Sequence, residues 1–229
     1  MDPAVTAKLL KVANSSLFNF NRPSTTLHGA ASLLGFKAVK NVVLSITVFD
    51  TLKDCPEIED FPRLAFWEHS VGTGAIARWV AGRLGHDAET AMVAGILHDL
   101  GKVVFSYGFP ERLREALMVA RLKKITILEA EEIVLGVNHT VAGRYLIHQW
   151  GLPTPFPSAV GAHHDLKADR ADLPMVHVVH LSDYLAKILS VGSAGDACPP
   201  QLNPEVASAL DADESTIEGW TGVLAEYVR

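Results

Sequence analysis

The sequence predicts an all-α protein: a multi-helix bundle preceded by a smaller N-terminal helical part. Two observations carry this. Apolar residues recur in long runs at helical spacing, and small residues punctuate most of the junctions between them. No matching pair of alternating strand segments is present anywhere in the 229 residues.

Taken in order, Asp2-Pro3 opens a helix with Asp as N-cap and Pro in the first turn. Val5, Leu9, Leu10, Val12 and Ala13 give it an apolar face, and Asn14-Ser15-Ser16 ends it. After the loop LFNFNRPSTT, residues 27–34 and 37–52 read as two helices separated by Gly35. The β-branched run VVLSITVF is compatible with a strand, but helix is preferred because the apolar run is long and has no partner. Residues 54–62, DCPEIEDFP, hold two prolines and four acids and form the clearest break. Helices are then expected over 62–84, 88–100, 110–123, 127–135, 140–150, 157–164 and 174–189. The stretch VGSAGDACPPQLNP is a linker by composition, and 204–228 forms one or two amphipathic helices. The expected organisation is therefore an N-terminal part at 1–53, a linker at 54–62, the main bundle at 63–190, a linker at 191–203 and C-terminal helices at 204–229.

Composition limits the function. With 20 basic and 26 acidic residues the formal charge is -6, which argues against general nucleic-acid binding or attraction to an anionic membrane. Cys55 and Cys198 form no paired motif, as expected for a reducing compartment. No apolar run of about 18 residues and no charged-then-apolar leader is read, so the expectation is a cytoplasmic protein that neither spans nor crosses a membrane.

The chemistry centres on AMVAGILHDLGK, where an apolar segment delivers His98 and Asp99 side by side. Neighbouring helical side chains point about 100° apart, so one can hold an ion while the other bridges to a second. Neutral imidazole with hard carboxylate suits iron, manganese or zinc. Five further residues answer the pair: His69, His139, His163, His164 and Asp183. Each lies in or beside a predicted helix, at spacings that let antiparallel helices converge on one point. The bland readings are a carbonyl-bonded core histidine for His69, an exposed helix-start residue for His139 and a solvated helix end for His163-His164. Asp183 is the strongest single candidate, because a carboxylate in the apolar helix VVHLSDYLAKIL is costly unless paired or metal-bound. His177, His180 and Asp183 are also spaced to make a smaller site. His28, His86 and His148 have no such company.

In this order, H…HD…H…HH…D resembles the HD superfamily of metal-dependent phosphohydrolases. The successive blocks DPAVTAKLLKVANSSLF, HGAASLLGFKAVKNVVL, FWEHSVGTGAIARWVA, AGILHDLGKVVF, GVNHTVAGRYLIHQWGLP and AVGAHH are more similar still to the HDOD family, the HD-related output domains of bacterial signalling. The likeness covers about residues 2–190, and family members usually carry a few helical turns ahead of the point where DPAVTAKLL begins. It implies an HD-type bundle acting as a regulatory module towards a signalling protein partner or a small phosphate-bearing ligand. HDOD domains are generally regarded as lacking some of the superfamily's ligands, whereas all seven positions are filled here. Carried over from the HD-GYP phosphodiesterases of cyclic di-GMP, the likeness implies His69, His98, Asp99 and Asp183 on one ion and Asp99, His139, His163 and His164 on a second. Asp99 would bridge them. The metal would be a divalent transition ion, Fe or Mn, with Zn, Ni and Mg as alternatives. If the protein is an enzyme, the likeness implies a metal-dependent phosphohydrolase in which water activated by the ions attacks phosphorus, with Asp99 and Lys102 as catalytic residues. Lys102 would face the phosphate or protonate the leaving oxygen; its alternative is a helix C-terminal lysine complementing the dipole. Against cyclic di-GMP, the Gly-Tyr-Pro segment expected after His163-His164 is replaced by DLKADRADLP. A metal- or oxygen-sensing domain is a third reading. Glu131 could extend the ligand cluster but reads, with Glu129 and Glu132, as part of a solvated acidic face. Arg112, Arg114, Arg121, Lys123 and Lys124 could attract phosphate, but alternate with Glu111 and Glu115 as a solvated face does.

Overall fold

A computed structural model describes residues 55–227. The expected helices over 2–13, 27–34 and 37–52, the strand alternative within VVLSITVF, and His28 lie outside the described residues. Among these the chain is helical with no strand; only an isolated bridge joins Ile58 and Phe61.

Ten helices follow in order: α1 (Arg63–Arg83), α2 (Ala88–Leu97), α3 (Leu100–Gly108), α4 (Pro110–Lys123), α5 (Ile127–Leu135), α6 (His139–Gln149), α7 (Phe156–Ala162), α8 (Leu173–Ile188), α9 (Pro204–Ala209) and α10 (Glu214–Tyr227). Local chemistry sets many of their ends. Asp87 caps α2 by accepting from the backbone N–H of Glu89 and Thr90, and Asn138 caps α6 by accepting from Thr140 and Val141. Thr126 and Glu129 make a reciprocal capping box on α5, and Gly136 closes that helix at φ +74°.

Helix α2 is the centre of the bundle: every residue of 90–97 is buried. The segment has no polar face to offer solvent, so it is stable only with neighbours on several sides. It meets α1 at a glycine pair, where a Cβ on Gly95 would stand 2.8 Å from the Gly74 Cα. At the far end Trp79 and Trp220 meet edge to face with centroids 5.5 Å apart, seating α10 on α1.

One expected helix is corrected. The pattern over 88–100 reads as continuous, but α2 stops at Leu97, Asp99 leaves helical geometry at ψ 16°, and α3 starts at Leu100. Helix α3 itself was not expected. The two stretches read as linkers are also packed into the fold. Residues 55–61 bury Cys55, Ile58 and Phe61, and 191–203 buries Ala194. Composition marks a break in regular structure and does not report whether the backbone lies against the core. The basic run of α4 pairs with acids at the surface, Arg112 with Glu115, Arg114 with Glu111 and Arg121 with Asp60, as a solvated face.

Candidate metal centre

The corner between α2 and α3 places His98 and Asp99 at the meeting point of four further segments. His69 comes from the interior of α1, His139 from the first residue of α6, His163 and His164 from just beyond α7, and Asp183 from the interior of α8. The approach of α3 to α6 depends on Gly101: a Cβ there would lie 1.9 Å from the His139 carbonyl oxygen. His139 Nε2 lies 3.2 Å and His163 Nε2 3.8 Å from Asp99 Oδ1, while His98 Nε2 is 3.4 Å from Asp99 Oδ2. Asp183 Oδ1 stands 3.1 Å from His69 Nε2 and 3.6 Å from His98 Nε2. Two donor groups result, Asp99 with His139, His163 and His164, and Asp99 with His69 and His98, each with ligand atoms within 4.8 Å of one another. Asp183 adjoins the second.

The outer nitrogens orient three of the imidazoles. His98 Nδ1 donates to the Gly95 carbonyl at 2.7 Å, His163 Nδ1 to the Val160 carbonyl at 2.9 Å, and His139 Nδ1 to Glu131 Oε2 at 2.6 Å. Each bond commits Nδ1 as the donor and turns Nε2 inward, the arrangement found behind metal-ligating histidines. The inner atoms His69 Nε2, His98 Nε2, His163 Nε2, Asp99 Oδ1 and Asp183 Oδ1 are buried and find no hydrogen-bond partner among the described residues. Buried polar atoms are ordinarily satisfied. Five unsatisfied ones aimed at a common centre, all of ligand type, fit a divalent transition metal.

Charge is distributed unevenly. Burial disfavours a charged Asp99, but Lys102, His98 and His139 outweigh it and hold the carboxyl well below the usual carboxylate range. Asp183 is lowered in the same way: burial opposes its charge, and Lys187, His69 and His98 overcome it. Burial also acts against a charged His98, yet Asp99 and Asp183 push it up to about 10. His163 and His164 go the other way. Burial lowers both, reinforced by neighbouring imidazoles, so they are held neutral.

Lys102 is 1% exposed and lies in the first turn of α3, so the alternative reading of a helix C-terminal lysine does not hold. Its ammonium binds Asp99 Oδ2 at 2.8 Å and the Ala194 carbonyl at 3.0 Å. Glu131 is corrected from a solvated residue to a fully buried one that accepts from both the His139 backbone N–H, at 2.8 Å, and its ring. The sequence did carry a signal, since Ile127 and Glu131 stand four apart on the buried face of α5. His177 and His180 join no candidate ligand group among the described residues. His180 instead donates from Nδ1 to the His163 carbonyl at 2.6 Å, and its Nε2 accepts the Asn203 N–H at 3.1 Å. Sequence reasoning missed Lys187, whose ammonium lies 2.8 Å from Asp183 Oδ2 and 3.1 Å from Asp196 Oδ2.

A cleft of about 700 Å³ reaches the centre from the surface. It is lined by His164, His180, Asp183 and Lys187, by residues 124–129, and by Asp196 and residues 198–204. Lys102 is not on its wall.

A profile of the HDOD domain family matches residues 1–166. The chain belongs to the HDOD domain family. Among solved structures, it is similar to an HDOD domain protein of unknown function from Geobacter sulfurreducens. The TM-score is 0.77 and the identity 24%, over 99% of this chain and 73% of that one. It is also similar to a candidate signal transduction protein from Marinobacter aquaeolei VT8, with a TM-score of 0.76 and 20% identity over 99% of this chain and 51% of that one. At these identities the likeness is one of fold. A curated relative, an uncharacterized protein of Treponema pallidum (strain Nichols), is 26% identical over 204 residues. Those residues are 88% of this HDOD chain, which spans only 39% of the relative's length.

Proposed function

We propose that this HDOD protein is a bacterial signalling output module that keeps a metal centre, with His69, His98, Asp99, His139, His163, His164 and Asp183 as ligands. The observation that carries the reading is the set of buried, unpartnered Nε2 and Oδ1 atoms around Asp99. The donor set favours Fe, Mn or Zn over Mg, because imidazole outnumbers carboxylate. The centre has room for up to two ions, sharing Asp99. Its output is an interaction with a signalling protein partner or a small phosphate-bearing ligand, the latter entering the cleft beside His164 and Lys187. A cytoplasmic location is part of this reading, and no described helix is long and apolar enough to cross a membrane.

A second reading, a metal-dependent phosphohydrolase acting on a nucleotide or cyclic dinucleotide, draws on the cleft that opens onto two of the ligands, His164 and Asp183. A divalent ion supplies Lewis acidity and brings the pKa of water towards neutrality. The chain's own part would be to hold Asp99 ionised through Lys102 and to present Lys187 to an incoming phosphate. The missing Gly-Tyr-Pro segment weighs against cyclic di-GMP.

Purification under reducing, anaerobic conditions, followed by reconstitution and elemental analysis, tests the first reading. At least one equivalent of transition metal per chain is expected, and less than about half an equivalent overturns it. An aryl phosphodiester assay with Mn²⁺ or Fe²⁺ separates the two readings. Turnover above that of a variant carrying His98→Ala and Asp99→Ala favours the enzyme, and metal without turnover favours the module.

A further inference from the structure

The seven donors do not make two equal halves. One half gathers His139, His163 and His164 against Asp99 Oδ1, and no lysine or arginine is ion-paired to that oxygen among the described residues. His139 Nε2 and His164 Nε2 face each other at 3.2 Å, and His163 Nε2 is unpartnered. Glu131 and the Val160 carbonyl brace two of these rings from behind. The other half sets His98 against Asp99 Oδ2, and His69 and His98 against Asp183 Oδ1, and there both carboxylates already have a cation on Oδ2. Lys102 Nζ is 2.8 Å from Asp99 Oδ2, and Lys187 Nζ is 2.8 Å from Asp183 Oδ2.

The two lysines are themselves held in place by the segment 191–203. Lys102 donates to the Ala194 carbonyl, and Lys187 pairs with Asp196. That segment is seated on α1 beside His69. The Ser193 N–H donates to the Ala65 carbonyl at 2.9 Å, and a Cβ on Gly192 would lie 2.3 Å from the His69 backbone nitrogen. Gly192 has φ +61°, so glycine is needed both for the turn and for the close approach. A metal ion entering this half meets two ammonium groups that cannot withdraw without loosening the segment. Like charges at such short range in a partly desolvated site repel strongly.

We infer that the centre is unequal by construction. The His139, His163 and His164 half holds one divalent ion tightly through Asp99 Oδ1, whereas the His69, His98 and Asp183 half takes a second only weakly because Lys102 and Lys187 already neutralise its carboxylates. Three imidazoles and one carboxylate oxygen suit Zn²⁺ or Fe²⁺. The inference rests on the metal-binding reading above and adds an order of loading.

The full chain, stripped with a chelator, is titrated with Zn²⁺ by calorimetry and analysed for metal after desalting. One equivalent is expected to survive desalting, with a second step weaker by at least about tenfold. His164→Gln should abolish the tight step and His69→Gln should leave it, with melting curves reporting whether each variant folds. Lys187→Met acts on a partly exposed side chain and provides a check that does not remove a ligand. It should strengthen the weak step, whereas Lys187→Arg should not. Two equivalents of equal affinity overturn the inference while leaving the metal-binding reading intact, as does loss of the tight step in His69→Gln but not in His164→Gln. Absence of any retained metal in the unaltered chain overturns both.

Discussion

The two halves of the centre use the same residue types and have opposite electrostatics. His139, His163 and His164 come from helix ends, where rings can be braced by a buried Glu131 or by a carbonyl of the preceding turn. Burial keeps His163 and His164 neutral there. His69 and Asp183 come from helix interiors, and this half is charge-compensated within the protein by Lys102 and Lys187, while its two carboxylates raise His98 to about 10. On the proposed metal-binding reading, ligand type alone would not set affinity, because the cations lodged behind the carboxylates would change how much work an entering ion must do.

The largest effect that sharpens this comparison comes from Asp99, which both halves share. Asp99→Asn leaves the Lys102 ammonium buried without its anion and should cost about 3–5 kcal/mol in urea unfolding, together with the loss of metal. Asp183→Asn should cost less, about 1–3 kcal/mol, because Asp196 still accompanies Lys187. Equal losses in the two variants would break the account of the lysines. Glu131→Gln should then lower metal affinity about 10–100-fold in the half that contains His139, measured by competition with a chromophoric chelator.

The pH dependence of the chelated protein should separate the halves. His98 is raised on folding, so its contribution to stability is complete below about 6.5 and is lost as the pH climbs through about 10. His163 and His164 are lowered on folding, so the unfolded chain binds protons that the folded one cannot, and stability falls as the pH drops below about 6.5. Thermal melts across this range should show both arms; His98→Gln should flatten the alkaline one and His163→Gln the acid one. The smallest effect is expected at an exposed ion pair. Arg112→Ala removes an exposed pair with Glu115 and should change stability by no more than about 0.5 kcal/mol, which checks that burial rather than charge alone sets the scale.

Much of this was legible in the sequence. The seven donor residues stood out because a His-Asp pair closing an apolar segment, a His doublet and an Asp in an apolar helix are each expensive to explain otherwise. Caps at Asp87, Thr126 and Asn138, with prolines at helix starts, kept most helix ends within a residue or two of expectation. The corner at His98-Asp99 was missed because Leu97 and Leu100 flank the pair at the spacing a continuing helix would give. Glu131 was misplaced because it sits between Glu129 and Glu132, which suggested one polar face where only its i−4 partner Ile127 reported the true one.

By itself, then, the sequence determined the helical class, the candidate donor set and the family likeness, since periodicity, capping chemistry and the order of motifs are properties of the chain read locally. Lys102 with Asp99 and Lys187 with Asp183 stand three and four positions apart, within local reach, but tertiary structure alone decided that these pairs lie among the clustered histidines and that the segment 191–203 packs beside them. The Lys102 ammonium also donates to the Ala194 carbonyl, 92 positions away. Which groups meet across such a distance depends on how helices pack, and no local spacing in the sequence encodes it.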